Sequence, residues 1–163
     1  MFKIRQGSPE DFEELLEIYK ELQQQRAVAR PEYFKPNQEP INEQDFSKLI
    51  ADERKRLYVV ERAGAIQAFT IFKGEKQEET ALYKERRVIK VEELYIKQDQ
   101  KYKGIDQYLF EKIKKFASSI KATEIELEFW EDDLEMIDYY EERLELIPKT
   151  RTMVFPVSSL EGE

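Results

Sequence analysis

Hydrophobic positions in the first part of the chain have the spacing of a short strand and then of a helix. The pattern predicts a strand over 2–5 and a helix that runs to about Gln24. Ser8 and Pro9 suit the helix start, because serine caps free N–H groups and proline tolerates the first turn. The apolar residues that share one face of this helix are Phe12, Leu15, Leu16, Tyr19 and Leu22.

The central part of the chain has the pattern of a sheet. Three prolines predict a loop over 30–40, and apolar residues around Phe46 mark a short second helix. Residues that favour strands then predict three antiparallel strands, over 57–62, 65–73 and 87–96. Ala63-Gly64 joins the first two of these strands as a hairpin.

The last part of the chain alternates between helix and strand. Apolar residues predict a helix over 105–120, and strict alternation predicts a strand over 125–129. A helix over 134–144 and a final strand over 150–156 complete the pattern. Since a strand that follows a helix implies a parallel crossover, we expect an α/β fold. Its mixed sheet has antiparallel N-terminal strands and a parallel crossover, with helices packed on it.

The composition favours a single domain that spans residues 1–163. It also limits which side chains can take part in catalysis or hold a metal. Hydrophobic residues make up 40% and aromatic residues 12%, enough for a packed core although 38% of the residues are charged. The absence of cysteine excludes disulfides and thiolate nucleophiles, and the absence of histidine removes the commonest general base and metal ligand. We therefore expect no metal, and any catalysis must use carboxylates, tyrosines or backbone groups.

Charge and hydropathy argue against two classes of binding partner, nucleic acids and membranes. The net charge of −8 argues against nucleic-acid binding, which needs clustered lysines and arginines. An apolar run of about 18 residues and a hydrophobic leader are both absent from the sequence, so we expect no membrane partner and a cytoplasmic location.

The most informative segment is a strand that passes through a lysine-containing turn into a helix, over 91–106. Gly104 lets the backbone approach a ligand, and the helix start presents unpaired N–H groups. Lys101 and Lys103 add two cations beside it. The segment is therefore either a phosphate site or a solvated loop.

This segment resembles the acetyl-CoA-binding motif of the GNAT superfamily of N-acetyltransferases, Q/R-x-x-G-x-G/A after the fourth strand. Lys101 stands at the Gln or Arg position, Gly104 at the central glycine, and Asp106 replaces the second glycine or alanine. The resemblance implies acetyl-CoA as co-substrate, bound by Leu94, Ile96, Gln100, Lys101, Tyr102, Lys103, Gly104, Ile105 and Asp106.

A second segment, over 130–141, is similar to the N-x-x-A-x-x-F-Y helix of the same family. Asp133 replaces the asparagine, which makes it a further cofactor-binding residue, and Tyr140 stands on the tyrosine. Met136 replaces the alanine. The Gly-Phe pair that follows in the family corresponds to Glu145-Leu146, with one extra residue before it.

The resemblance also implies catalytic roles, because amine acetylation needs a base, a donor to the thioester oxygen and an acid for the thiolate. Glu92 aligns with an acidic residue that some family members use as the general base, acting through a water molecule. Tyr140 aligns with the tyrosine that serves as the general acid for the thiolate. If the strand carries the bulge of the family, the N–H of Ile96 is the oxygen donor.

Simpler interpretations stay open for both residues. In a regular strand Glu92 and Glu93 point to opposite faces, and at least one of them is merely solvated. Tyr140 suits a helix core equally well, and Tyr139 competes with it for the role.

Charge is divided between two segments. Residues 97–121 include seven lysines and three acidic residues, whereas residues 124–145 include eleven acidic residues and one arginine. The division fits either solvated surfaces or a basic site for phosphates beside an acidic rim for a cationic amine.

We therefore expect an N-acetyltransferase that moves acetyl from acetyl-CoA to a primary amine, either a small cationic amine or a protein amine. The departures from the family motifs leave an alternative: a weak or inactive module that senses acyl-CoA or binds proteins. The oligomeric state is open, a homodimer included.

Overall fold

The computed structural model describes residues 1–157, and the chain divides into two compact units at residue 130. The first unit contains a five-stranded sheet of order β1-β2-β3-β4-β5. The three pairings among β1, β2, β3 and β4 are antiparallel and β5 is parallel to β4, which confirms the predicted mixed sheet. The strands are β1 Lys3–Gln6, β2 Lys55–Arg62, β3 Ala65–Gln77, β4 Arg86–Ile96 and β5 Glu124–Glu126.

The helices follow the predicted order. A 3₁₀ turn precedes the first helix, which runs five residues further than predicted. Its last residues favour helices, and it stops before Pro31, which disfavours a helical residue ahead of it. Among residues 1–157, no helix is long and apolar enough to cross a membrane. The helices are α1 Phe12–Ala29, α2 Glu43–Ala51 and α3 Ile105–Ser119 in the first unit and α4 Leu134–Arg143 in the second.

The core of the first unit has two layers, one on each face of the sheet. Val59 and Val60 are neighbours on β2 and belong to different layers, because successive strand residues point to opposite faces. The α1 and α2 layer includes Leu15, Phe46, Leu57, Val59, Phe69 and Ile71. The α3 layer includes Val60, Ala68, Ile96, Ile105 and Leu109.

A partly buried ion pair joins β1 to the start of α1. Two guanidinium nitrogens of Arg5 each donate to the Asp11 carboxylate at 2.8 Å, and the Ser8 N–H donates to it at 2.8 Å. The hydrogen bonds from Arg5 hold the pKa of Asp11 below its usual value.

Two strand predictions near the C-terminus need correction. β5 is shorter than the predicted 125–129, and the predicted strand over 150–156 is wrong, because these residues form no regular structure. All seven are exposed, and the sheet ends at β5. A strand-like pattern without a pairing neighbour gains no ladder hydrogen bonds and no buried face.

Candidate active site

A β-bulge lies in β4 at the predicted catalytic residue. β3 pairs Ile71 with Glu93 and Phe72 with Val91, so that Glu92 is an extra residue in β4. The fully buried hydroxyl of Thr70 donates to the Glu93 carbonyl at 2.7 Å. This hydrogen bond ties the Thr70 side chain of β3 to the backbone of β4 beside the bulge.

The bulge turns both carboxylates to the same face of the sheet. Glu92 lies 3.2 Å from the ammonium of Lys55, which shares its face of β2 with Leu57 in the α1 and α2 layer. Glu93 accepts a hydrogen bond of 2.6 Å from Arg26 on α1. The expectation that the two glutamates point to opposite faces is wrong, because a bulge interrupts strand alternation.

Two phenols pack on the α1 and α2 face of the sheet, the face that carries these carboxylates. Burial raises the pKa of Tyr19, and the negative charge of Glu93 raises it further. Burial also raises the pKa of Tyr95 on β4. Both rings pack against Phe69, with centroid distances of 5.4 and 5.5 Å. Both phenols are therefore protonated at neutral pH.

The C-terminal half of β4 is open on one side. The N–H of Lys97 donates to the Gln67 carbonyl at 2.9 Å, which makes Ala68 and Ile96 a non-hydrogen-bonded pair. The N–H of Ile96 therefore points away from β3, and alternation gives the N–H of Leu94 the same direction.

β5 pairs with β4 only at residues 88–90. Beyond residue 90, no strand of the described chain pairs with β4 on the side to which the Leu94 and Ile96 N–H groups point. Such an edge accepts an extended ligand in the way that it accepts another strand.

The loop after β4 positions the start of α3. A 3₁₀ turn covers Gln98–Gln100, and Tyr102 and Gly104 have positive φ values of 63° and 94°. A Cβ on Gly104 would meet only the Gln107 side chain at 3.4 Å, so its conformation rather than crowding requires glycine. Lys103 beside it is exposed.

Asp106 is buried in the first turn of α3, with 2% of its surface exposed. One carboxylate oxygen of Asp106 accepts the N–H of Gln107 at 3.1 Å. A carboxylate thus lies at the positive end of the helix, where the helix dipole stabilises it.

The second unit holds the other predicted site residues, Asp133 before α4 and Tyr140 on it. Asp133 caps the helix, and its carbonyl accepts the Ile137 N–H at 3.0 Å. Tyr140 is buried, whereas Tyr139 is half-buried, and their rings meet edge to face at 5.3 Å. Glu145 has φ 56°, the left-handed conformation that favours glycine, at the position of the family glycine.

Sequence reasoning did not select a group of aromatic residues in the first unit. Arg30 lies over the Trp130 ring at 4.2 Å, and the Tyr33 ring lies 5.1 Å from it. Phe34 meets the same ring edge to face at 6.3 Å. Adjacent aromatics in a proline-rich loop and a single tryptophan were the available signals. Their contact depends on the fold.

No metal site is evident in the part of the chain that the structure describes. Within residues 1–157, no three acidic, cysteine or histidine side chains are grouped to hold a metal ion.

The geometry agrees with the family that the sequence resembles. A sequence model of the Acetyltransferase (GNAT) family matches residues 13–145, and the chain belongs to this family. Members of the family use acetyl-CoA as co-substrate. A comparison with curated protein sequences finds no match.

Solved structures share the fold at low sequence identity. A mutant of the BH1408 protein from Bacillus halodurans is 19% identical, with TM-score 0.88 over 95% of this chain and 99% of that one. An aminoglycoside 6′-N-acetyltransferase from Acinetobacter baumannii is 15% identical, with TM-score 0.71 over 96% and 97%. A glucosamine-6-phosphate N-acetyltransferase from Arabidopsis thaliana is 16% identical, with TM-score 0.69 over 96% and 99%.

Proposed function

We propose that the protein transfers the acetyl group of acetyl-CoA to a primary amine, either a small cationic amine or a protein amine. One observation carries the proposal: the open edge of β4 leads, within ten residues, to a lysine-containing loop and a helix start. An extended thioester ligand on that edge would bring its diphosphate end to the loop.

In this proposal the backbone of β4 and the loop bind the co-substrate. The N–H groups of Leu94 and Ile96 bind its extended arm, as a strand partner would. The loop from Gln100 to Asp106 binds the diphosphate through backbone N–H groups, with Lys101 and Lys103 as cations. By the resemblance to the helix motif of the family, Asp133, which precedes α4, is a further contact.

Acetyl-CoA supplies the thioester, whose C–S bond breaks as the amine nitrogen forms the new C–N bond. Glu92 accepts the ammonium proton through a water molecule, which leaves the amine lone pair free to attack. The N–H of Ile96 donates to the thioester oxygen, where negative charge develops. By the resemblance of residues 130–141 to the helix motif of the family, Tyr140 gives its phenolic proton to the departing thiolate, and the second proton that the nitrogen loses as the amide forms returns to the phenolate.

The neighbours of Glu92 support a cationic acceptor. A primary ammonium, that of Lys55, already lies 3.2 Å from its carboxylate. An acceptor ammonium has the same charge and donors, so it suits the same carboxylate.

Calorimetry and thermal unfolding with acetyl-CoA test whether the protein binds this co-substrate. At 100 times its dissociation constant the ligand adds about 2.7 kcal/mol to the free energy of unfolding. A Lys101→Ala, Lys103→Ala double variant should bind more weakly, whereas Lys84→Ala, Lys115→Ala, at exposed positions outside the loop, should not. Polyamines, aminoglycosides and lysine peptides then test the acceptor, with product detected by mass spectrometry.

A second candidate function is a module that senses acyl-CoA or binds proteins. The buried Asp106 favours it, because its carboxylate already accepts an N–H of the helix start. Binding of acetyl-CoA without acetylation of any amine would support the sensor. The absence of heat and of a melting shift at millimolar acetyl-CoA would leave only protein binding.

A further inference from the structure

The aromatic cluster of Tyr33, Phe34 and Trp130 lies where the loop after α1 meets the chain that follows β5. Two of its rings are reachable from solvent, with 40% of Trp130 and 60% of Tyr33 exposed. Large exposed rings that pack on one another are typical of recognition sites.

A planar cation occupies the cluster in this structure. The guanidinium carbon of Arg30 lies 4.2 Å from the Trp130 ring centroid, within the range of a cation–π interaction. This contact shows that the ring face accommodates a guanidinium group. A ligand cation would make the same interaction.

The cluster is linked through Arg26 to Glu93, one of the two carboxylates at the β4 bulge. Arg26 donates to Glu93 at 2.6 Å, and its guanidinium carbon lies 5.9 Å from the Phe34 ring centroid. Phe34 in turn contacts Trp130. Three successive contacts therefore connect Glu93, the neighbour of the proposed base in the bulge, with the tryptophan.

We propose that the aromatic cluster binds a second cationic group of the acceptor, and that Arg30 competes for the same ring face. The acceptor is then a primary amine that carries a guanidinium or ammonium group at its other end. The amine end belongs at Glu92, and the other cation lies on Trp130. The assignment of the amine end rests on the proposed acetyltransferase function, whereas cation binding at Trp130 does not.

Fluorescence tests this proposal directly, because Trp130 is the single tryptophan of the chain. The protein is titrated without acetyl-CoA, at constant ionic strength, with agmatine, spermidine and butylamine, and with magnesium chloride as an inorganic dication. We expect a saturable emission change with agmatine and spermidine. Butylamine should bind about 2- to 30-fold more weakly, because it has no second cation for the ring.

Variants identify the contact. Arg30→Gln removes the competing guanidinium, so agmatine should bind severalfold more tightly by fluorescence. Trp130→Ala, followed by calorimetry, should weaken agmatine binding and leave acetyl-CoA binding unchanged. Tyr33→Ala removes a ring of the cluster and keeps Trp130 as the fluorescent probe. This variant takes the place of Trp130→Ala if Trp130→Ala does not fold. Tyr83→Ala is the matched control, because Tyr83 is a similarly exposed ring on another loop.

The outcomes separate this proposal from the proposed function. Emission changes with agmatine in a protein that acetylates no amine would support the cation site and remove the acetyltransferase. Acetylation of agmatine without any emission change would overturn the cation site and keep the acetyltransferase. An equal response to magnesium chloride would also overturn it, because the signal would then reflect bulk charge.

Discussion

The two ends of β4 differ although one strand forms both. At the N-terminal end, residues 88–90 pair with β3 on one side and with β5 on the other. Ion pairs of Arg86 with Glu124 and Glu126 reinforce that end. At the other end, residues 92–96 include a bulge and pair only with β3. The comparison teaches that full pairing builds the sheet, whereas interrupted pairing exposes backbone donors and carboxylates.

The chain after β5 has a part in this difference. β5 ends at Glu126, and four residues later Trp130 contacts Arg30 and Tyr33 of the loop after α1. The described chain thus leaves the ladder with β4 before Trp130 makes its ring contacts. The same contacts that form the aromatic cluster thus accompany the opening beside β4.

Glu92→Gln should have the largest effect on the open end. Glutamine keeps the size of the side chain but does not accept the ammonium proton, so turnover at neutral pH should fall about 100-fold or more. Steady-state kinetics with the best amine measures it. Glu93→Gln is the control, because Glu93 lies on the same face of the sheet as Glu92. The glutamine oxygen can still accept the hydrogen bond from Arg26. An equal loss in both variants would mean that Glu92 is not the base.

Tyr140→Phe should lower turnover about 10- to 100-fold and leave acetyl-CoA affinity nearly unchanged, because only the hydroxyl is lost. Single-turnover kinetics and calorimetry separate the two quantities. Tyr139→Phe is the neighbouring control. Loss of activity in the control alone would move the role to Tyr139.

Thr70→Val should disturb the bulge itself. The valine fills the site but does not donate to the Glu93 carbonyl, which should cost about 1 to 2 kcal/mol of unfolding free energy. Urea denaturation gives this value, and turnover should fall as well. Thr70→Ser keeps the hydroxyl and should retain turnover. If Thr70→Val is as active as wild type, the hydrogen bond does not position the bulge.

Asp106→Asn should tighten coenzyme binding severalfold by removing a like charge beside the diphosphate, while the amide oxygen still accepts the Gln107 N–H. Calorimetry with free coenzyme A measures the change. Asp99→Asn, in the same loop, is the comparison. Unchanged affinity in Asp106→Asn would show that the carboxylate only stabilises the helix start.

Arg86→Gln should have the smallest effect, at the paired end. The Arg86 side chain is 40% exposed, so loss of its ion pairs should cost less than about 1 kcal/mol of unfolding free energy. Coenzyme affinity and turnover should stay at the wild-type values. A large loss of turnover would contradict the separation of the two ends.

Local signals predicted most of the fold and the turn at Gly104. The order of helices and strands follows from side-chain periodicity, and Gly104 from the demands of a turn, both of which are local. The bulge at Glu92 was not predictable in this way, because it depends on the register of β4 against β3. The error at 150–156 has the same origin, since strand formation requires a partner elsewhere in the chain.

The bulge leaves the sheet free to change at the position of the proposed base. Val91 and Glu93 pair with Phe72 and Ile71, which are themselves neighbours on β3. Without Glu92, both halves of the ladder would keep their partners and their faces. The proposed base thus stands on a supernumerary residue, so selection for a new acceptor can replace that residue without moving the side chains that hold the sheet together.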